Sequence, residues 1–228
     1  MTYVDGLQVA EAAQELDLSV QRIRALLASG VLRGDKVAGR WFVDAESIER
    51  WRHRRDARGR PLSANNAWAV LFAFSGREPD WLSPWDKSRL GKRLAEDWRC
   101  LIPRLQNRAE VRTFYVHPSQ ISRMSSDRRL VLGGISAGKS GGSKVIGHDE
   151  LEAYVRESDL ARVISRYKLA KSGRPNVVLH VVSGRWPFRQ GARSAPPAVV
   201  AMDLIESGDP RSMREGKSLM RSSLRERV

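Results

Sequence analysis

The chain has 228 residues, a formal net charge of +14 and 41% hydrophobic residues, which is enough for one small and one medium domain with buried cores. No run approaches the roughly eighteen apolar residues of a transmembrane helix, and the N-terminal residues do not resemble a secretory signal. The single Cys100 excludes an internal disulfide, so we expect a cytoplasmic protein, with a charge typical of nucleic-acid binders.

Residues 7–52 contain the most informative pattern. Apolar residues at helical spacing lead to a turn at Asp17–Leu18, and a second helix is expected from its N-cap Ser19 to Gly30. Two short helices joined by a tight turn can place one helix in the major groove of DNA. With Ile23 and the residues near it buried against the first helix, the side chains expected to meet base edges are Ser19, Gln21, Arg22 and Arg24.

A small hairpin, or wing, is expected after Gly30, with turns at Gly34–Asp35 and Ala38–Gly39. Asp44 would cap a third helix that has Glu46 in its first turn. That helix would pack on the first two through Ile48 and Trp51.

This segment resembles the winged helix-turn-helix of the MerR and excisionase-like regulators. In that family the second helix enters the major groove and the wing touches the DNA backbone or the minor groove. By this resemblance Lys36 and Arg40 are wing contacts, and Trp41 packs at the root of the wing. The alternative is a helical hairpin that only packs against the rest of the protein.

The basic residues begin after this segment. Residues 1–49 hold five Lys or Arg against eight Asp or Glu. A basic run then follows, opposed only by Asp56, and consists of Arg50, Arg52, Arg54, Arg55, Arg58 and Arg60. Such a run would hold phosphates without reading sequence. A solvated linker in an arginine-rich chain is the alternative.

Gly, Pro and Ser residues in ARGRPLSANN mark a boundary, so we expect a first domain over 1–58 and a second over 63–228. In the second domain, 63–105 is expected to be helical, with helices opening at Ser63 and at Ser83–Pro84. Residues 111–228 are expected to be mixed. Strands are predicted at VRTFYV, RLVLGG and NVVLHVV, and helices at HDELEAYV, 159–167, AVVAMDLIES and SMREGKSLMRSSL. Ser212 and Glu215 would form a capping box for the last helix.

The expected fold class is therefore α+β: a winged helix-turn-helix domain followed by a mixed α/β domain.

One motif points to nucleotide binding. Gly133, Gly138, Lys139 and Ser140 satisfy the spacing of a Walker A motif, and Asp203 could serve as a Walker B acid. No helix is expected after Ser140, because glycines follow directly and weaken a first turn. The segment GISAGKSGGSK therefore favours a flexible hairpin loop.

Other catalytic patterns are weaker. The four histidines are too scattered to indicate a zinc site, and Glu150 and Glu152 are expected on a solvated helix face. No nucleophile motif stands out. We expect no metal, no cofactor and no enzymatic activity.

The order of segments adds a second resemblance, which spans most of the chain. The matching pieces after the first domain are RPLSANNAWAVLFAFSGREPDWLSP, FYVHPSQISRM, SDRRLVLGGISA, DELEAYV and APPAVVAMDLIESGDPRSMREG. Their order is similar to that of the AbiEi-type antitoxins of type IV toxin–antitoxin systems in actinobacteria. The resemblance implies an antitoxin that represses its own operon and opposes a nucleotidyltransferase-type toxin. The chain departs from that pattern in its first domain, which is not basic.

The sequence thus predicts a sequence-specific, autorepressing DNA-binding regulator that binds its double-stranded operator as a homodimer or cooperative oligomer. One alternative is a nucleotide-dependent switch that uses Lys139, Ser140 and Asp203. Another is an excisionase-like architectural protein that bends DNA.

Overall fold

The structure, a computed structural model, describes residues 6–37, 39–55, 61–140, 149–171 and 174–225. The chain is a mixed α+β protein with two separate sheets. It divides into two compact units, the first from the start of the chain to position 56 and the second comprising nearly all of the chain after it. Within the described ranges, no helix is both long enough and apolar enough to cross a membrane.

The described part of the first unit combines a three-stranded sheet with three helices. In chain order these are β1 (Gly6–Gln8), α1 (Val9–Glu15), α2 (Val20–Ala28), β2 (Gly34–Val37), β3 (Arg40–Asp44) and α3 (Ala45–Arg55). The sheet order is β1-β3-β2 and both pairings are antiparallel. The core of the unit consists of Ala12, Ala13, Leu16, Ile23, Leu26, Leu32, Val43 and Ile48.

Local signals set the ends of these helices as predicted. The Ser19 hydroxyl accepts the Arg22 N–H at 3.2 Å and caps α2. Gly30 has a φ of 74°, which allows the chain to leave α2 in the left-handed conformation. The Asp44 carboxylate accepts the Glu46 N–H at 2.9 Å and caps α3.

Two features of this unit were not predicted. The strand β1 completes the sheet by pairing with β3. The turn predicted at Gly34–Asp35 is wrong, because both residues lie in β2. Gly34 is needed there for close packing rather than for a turn, since a Cβ atom would collide with the carbonyl oxygen of Phe42 on β3.

The second unit begins with helices and continues with alternating strands and helices. The helices before the sheet are α4 (Ala64–Phe74), α5 (Pro84–Leu94) and α6 (Trp98–Leu101), followed by 3₁₀ turns at Ile102–Arg104 and Gln106–Arg108. The next elements are β4 (Glu110–Phe114), a 3₁₀ turn at Pro118–Gln120, α7 (Ile121–Ser125), β5 (Leu130–Leu132), α8 (Gly134–Ser140) and β6 (Leu151–Arg156). The last elements are α9 (Glu157–Tyr167), β7 (Val177–Val182), α10 (Pro197–Glu206) and α11 (Pro210–Arg225).

The four-stranded sheet separates two cores. Its order is β4-β7-β6-β5, with β6 and β7 parallel and joined through α9. On one face, Leu151, Ala153 and Val155 of β6 pack with Leu160 and the other apolar residues of α9. The alternate residues of β6 point to the opposite face, where the almost fully buried helix α10 lies.

Several predictions for this unit are corrected. The helix predicted at HDELEAYV is strand β6, because Leu151, Ala153 and Val155 alternate with period two between two buried layers. The hairpin loop predicted at GISAGKSGGSK is helical over Gly134–Ser140.

Two helix ends also differ from the prediction. The helical pattern that opens at Ser83–Pro84 extends in the sequence LSPWDKSRLGKRLAEDW to Trp98, but the helix ends at Leu94, because Asp97 caps a new helix by accepting the Arg99 N–H. The last helix starts at Pro210, where Asp209 accepts the Ser212 N–H at 2.7 Å. Asp209 therefore takes the capping role predicted for Ser212.

The contact between α10 and α11 yields a stability prediction. A Cβ atom on Gly216 of α11 would lie 2.6 Å from the Ala201 carbonyl oxygen and 2.9 Å from the Ile205 side chain. We expect Gly216→Ala to lower the free energy of unfolding by about 1–3 kcal/mol through overpacking, measured by urea denaturation. Gly91→Ala in α5, which has open space around it, should raise the unfolding free energy by about 0.5–1 kcal/mol through helix propensity alone. Equal responses at the two positions would contradict the close packing.

Candidate functional site

The exposed side of α2 is the first candidate site. Ile23 and Leu26 are buried on one face of this helix, and Gln21, Arg22 and Arg24 are exposed on the other. In the described part of the chain, none of these three side chains has a hydrogen-bond or ion-pair partner. Ser19 holds the first turn of α2 through the Arg22 backbone and leaves that guanidinium free.

The hairpin of β2 and β3 carries the two predicted wing cations on opposite faces. Lys36 is the register partner of Trp41, and Arg40 is the partner of Val37. Neighbouring residues of a strand point to opposite faces, so Arg40 points away from the face that holds Lys36 and Trp41. Both side chains are exposed. Because they lie on opposite faces, a single ligand could contact both only at the edge of the hairpin. The packing role predicted for Trp41 is wrong, because 39% of this residue is exposed.

The position of α3 is fixed by a buried serine. The Ser47 hydroxyl accepts the Arg33 N–H at 3.1 Å and donates to the Asp44 carbonyl at 2.9 Å. This links α3 to the segment that leads into β2. The backbone of Arg50, Arg54 and Arg55 lies in α3, but their side chains lie outside the described part of the structure. Arg58 and Arg60 also lie outside the described residues.

The Walker-like run does not form a phosphate-binding loop. A P-loop cradles phosphates with the backbone that precedes its helix, and its lysine stands at the start of that helix. Here α8 starts at Gly134, so Gly138, Lys139 and Ser140 form its last residues. Asp203 is not available as an acid for a metal-bound nucleotide, because it is buried and bonded to Arg108.

The second candidate site is a buried charge network in the second unit, formed by Arg108, Tyr154 and Asp203 together with Glu152, His180 and Glu206. Arg108, only 2% exposed, donates to Asp203 at 2.7 Å and to Glu206 at 2.5 Å. The Tyr154 hydroxyl donates to the same Asp203 oxygen at 2.5 Å. His180 Nε2 lies 2.8 Å from Glu152 Oε1, and the His180 ring stacks on the Tyr154 ring.

The backbone at the start of α8 completes this network. The Gly134 N–H donates to the second Asp203 oxygen at 3.1 Å, and the Ile135 N–H donates to the second Glu152 oxygen at 3.3 Å. The network therefore joins β6, β7, α8 and α10 to the turn before β4.

Burial and charge act in opposite directions on the titratable groups. Burial by itself lowers the pKa of His180, but the charge of Asp203 and the hydrogen bond with Glu152 outweigh burial and raise that pKa. The pKa of Arg108 is likewise raised, because the nearby negative charges outweigh its burial. Burial raises the pKa of Tyr154 far above its usual range, so its hydroxyl stays protonated as a donor to Asp203.

A metal ion is a possible ligand of this cluster, since ligand atoms of Glu152, His180 and Asp203 lie within 4.8 Å of one another. However, each of these carboxylate oxygens already accepts a hydrogen bond from a neighbouring group. Arg108 also supplies a buried positive charge beside Asp203, where a cation would be repelled. The donor set thus fits an internally hydrogen-bonded structural network better than a metal site.

Sequence reasoning missed this network. Glu152 was predicted on a solvated helix face, and this is wrong, because Glu152 is buried in β6. The available signal was the placement of Glu152 and His180 within runs of apolar strand residues, where a polar side chain requires a buried partner. The pairing of strands, which brings Tyr154 beside His180, could not be deduced from either run alone.

Comparison with known proteins adds no relative: no family model, no curated protein and no solved structure matches this chain.

The buried ion pair yields a stability prediction. Asp203→Asn would leave the Arg108 charge short of a partner, so we expect a loss of about 3–5 kcal/mol in the free energy of unfolding, measured by chemical denaturation. Glu110→Gln, which removes the exposed partner of Arg112, should cost less than about 1 kcal/mol. If the two variants lost similar amounts of unfolding free energy, the buried Arg108–Asp203 pair would not be stronger than the exposed Arg112–Glu110 pair.

The His180–Glu152 contact yields a pH prediction. The pKa of His180 is raised in the folded state. The protonated imidazole therefore contributes fully to the free energy of unfolding below the ordinary pKa of 6.5, and this contribution is lost as the pH rises through the folded-state pKa. We expect the unfolding free energy to fall as the pH rises above this ordinary value, and to fall less in His180→Gln. His117→Gln, which removes an exposed imidazole of the same unit, is the control. An unchanged pH dependence in His180→Gln would refute this role.

Proposed function

We propose that this protein is a sequence-specific DNA-binding regulator and that its first unit is a winged helix-turn-helix domain. The carrying observation is the exposed edge of α2, where Gln21, Arg22 and Arg24 have no protein partner among the described residues. Arginine and glutamine are side chains that form paired hydrogen bonds with guanine and adenine in the major groove. In this proposal α2 enters that groove and its buried face keeps it attached to the core.

The arrangement around α2 supports the proposal. The short helix α1 precedes α2 across a tight turn, in which Asp17 has a φ of 50°. The hairpin of β2 and β3 follows, with Lys36 and Arg40 exposed near its end. Because these two cations lie on opposite faces, the hairpin would enter a groove edge-on and touch phosphates on both sides.

The composition of this unit constrains the mechanism. Its first 49 residues carry more acidic than basic side chains, so general attraction to DNA is weak there. Binding would therefore depend on base contacts and on arginines elsewhere in the chain. A single short helix covers few base pairs, and we propose that two or more copies bind adjacent half-sites.

We extend the proposal to an antitoxin role, in which the regulator represses its own operon and opposes a nucleotidyltransferase-type toxin. The order of segments described in the sequence analysis supports this role. A nucleotide-dependent switch at Lys139 is less consistent with the geometry, because the Walker-like residues lie at the end of α8. Nothing in the described contacts favours an architectural role over a regulatory one.

The test is binding of the full chain to duplex DNA from its own upstream region and to a scrambled duplex, measured by fluorescence anisotropy over a salt series. We expect a preference for the upstream sequence on the order of a thousandfold. Arg22→Ala should lower affinity for that sequence about tenfold or more with little change for scrambled DNA. Lys36→Ala should weaken both equally and reduce the salt dependence by about one phosphate contact.

Arg221→Ala is the matched control, since it removes one exposed arginine of α11 in the second unit that has no partner among the described residues. Equal binding of both duplexes, or the same pattern in Arg22→Ala and Lys36→Ala, would refute sequence reading by α2.

A further inference from the structure

A cavity of about 470 Å³ opens within the second unit. It lies between the start of α4, the end of α5 and the 3₁₀ turns that follow α6. Its walls are formed by Pro61, Leu62, Ser63, Asn66, Arg93, Arg104 and Asn107. This volume falls in the range of about 300–1,000 Å³ that is usual for small-molecule sites.

Two guanidinium groups line this cavity, and none of its described lining residues carries a carboxylate. Arg93 is partly buried and has no hydrogen-bond or ion-pair partner in the described part of the chain. Arg104 donates through Nη1 to Glu96 at 3.1 Å, outside the cavity lining, while its buried Nε has no acceptor among the residues that the structure describes. The walls therefore hold two positive charges, of which only one is partly balanced by a neighbouring carboxylate.

Neutral polar groups add further hydrogen-bond donors to the cavity walls. The Ser63 hydroxyl makes no capping bond, and the side-chain amides of Asn66 and Asn107 have no partner among the described residues. The first backbone bond of α4 runs from the Ala67 N–H to the Ser63 carbonyl at 2.9 Å. The N–H groups of residues 64–66 are therefore left without intrahelical acceptors, and of these three residues Asn66 lines the cavity.

The cavity is held open by buried structure. The Leu62 N–H donates to the Arg104 carbonyl at 2.9 Å and ties the entry of α4 to the turn that carries Arg104. Leu62 and Leu105, the residue that follows Arg104, are both buried in the core of this unit. The backbone of these two walls is therefore fixed before a ligand binds, so that part of the site needs no ordering on binding.

We propose that this cavity binds a phosphoryl group, with Arg93 and Arg104 as its charged ligands and Ser63 and Asn66 as neutral ones. Guanidinium groups match the geometry and charge of phosphate oxygens, and such charge-assisted bonds are among the strongest hydrogen bonds. A phosphoryl group offers several acceptor oxygens, which suits a wall with many donors and no competing carboxylate. The site is independent of the DNA-binding proposal and lies entirely within the second unit.

The phosphoryl group could belong to a small ligand such as a nucleotide or to the backbone of a nucleic acid. Isothermal titration calorimetry of the full chain with inorganic phosphate and with AMP tests the shared chemistry. We expect saturable binding of at least one of them, and a drop in affinity on the order of tenfold in Arg93→Gln. Lys92→Gln, which removes one charge from the same helix at an exposed residue that does not line the cavity, should retain the affinity.

Two further results distinguish the sources. If AMP binds more tightly than phosphate and Arg93→Gln leaves DNA affinity unchanged, the ligand is a small phosphorylated molecule. If Arg93→Gln weakens binding of every duplex and free phosphate competes with DNA, the ligand is the nucleic-acid backbone. The proposal is overturned if neither phosphate nor AMP binds saturably, or if Arg93→Gln and Lys92→Gln weaken binding equally. A failure of sequence-specific DNA binding would refute the proposed regulatory function but would not change the expected binding of phosphate or AMP at this cavity.

Discussion

Arg108 brings a guanidinium into a region that water does not reach, and the second unit is organised around that charge. A buried, permanently charged side chain is tolerable only when several acceptors surround it. Asp203 and Glu206 of α10 provide them, and Tyr154 of β6 adds its hydroxyl. Those carboxylates in turn recruit the N–H of Gly134 and influence His180 on β7. A shift of either strand or of α10 would leave a buried charge without a partner, so the network favours one register among the layers.

The arginines of this chain fall into two groups, those paired with nearby acids and those without a partner among the described residues. In the second unit, many arginines are paired with acids of their own neighbourhood, as Arg112 is with Glu110 and Arg129 is with Asp127. In the first unit, Arg22 and Arg24 stand on α2 with no such partner among the described residues, although the surrounding segment is acidic overall. Arg93 and Arg221 of the second unit also lack a partner among the described residues. The argument for an external ligand at α2 therefore rests on the position of its exposed side chains on the second helix, and not on lack of pairing alone or on the net charge of the whole chain.

The predictable parts of the fold were those with local causes. The caps Ser19 and Asp44, the left-handed Gly30 and the apolar helix α4 follow from residues within one or two turns of each boundary. The sequence of β6 predicts a helix, because Glu150 and Glu152 resemble the charged residues of an exposed helix face. What decides its conformation is burial on both sides, and this depends on strands and helices far away in the chain. Strand β1 was missed for the same reason, since three residues become a strand only when β3 is beside them.

The same distinction applies to the sites. Exposure of Gln21, Arg22 and Arg24 could be predicted from helical periodicity, because one helix determines which of its faces is buried. The cavity at Arg93 could not, because its walls come from three segments whose approach is set by the core around Leu62 and Leu105. Single exposed arginines without partners are ordinary in an arginine-rich chain and indicate little. At the cavity, however, Arg93 and the side-chain amides of Asn66 and Asn107, which have no partner among the described residues, share one wall region with Arg104. Partly buried donors gain more from a ligand with matching acceptors than fully solvated donors do, so the argument for a ligand at the cavity rests on several such groups together.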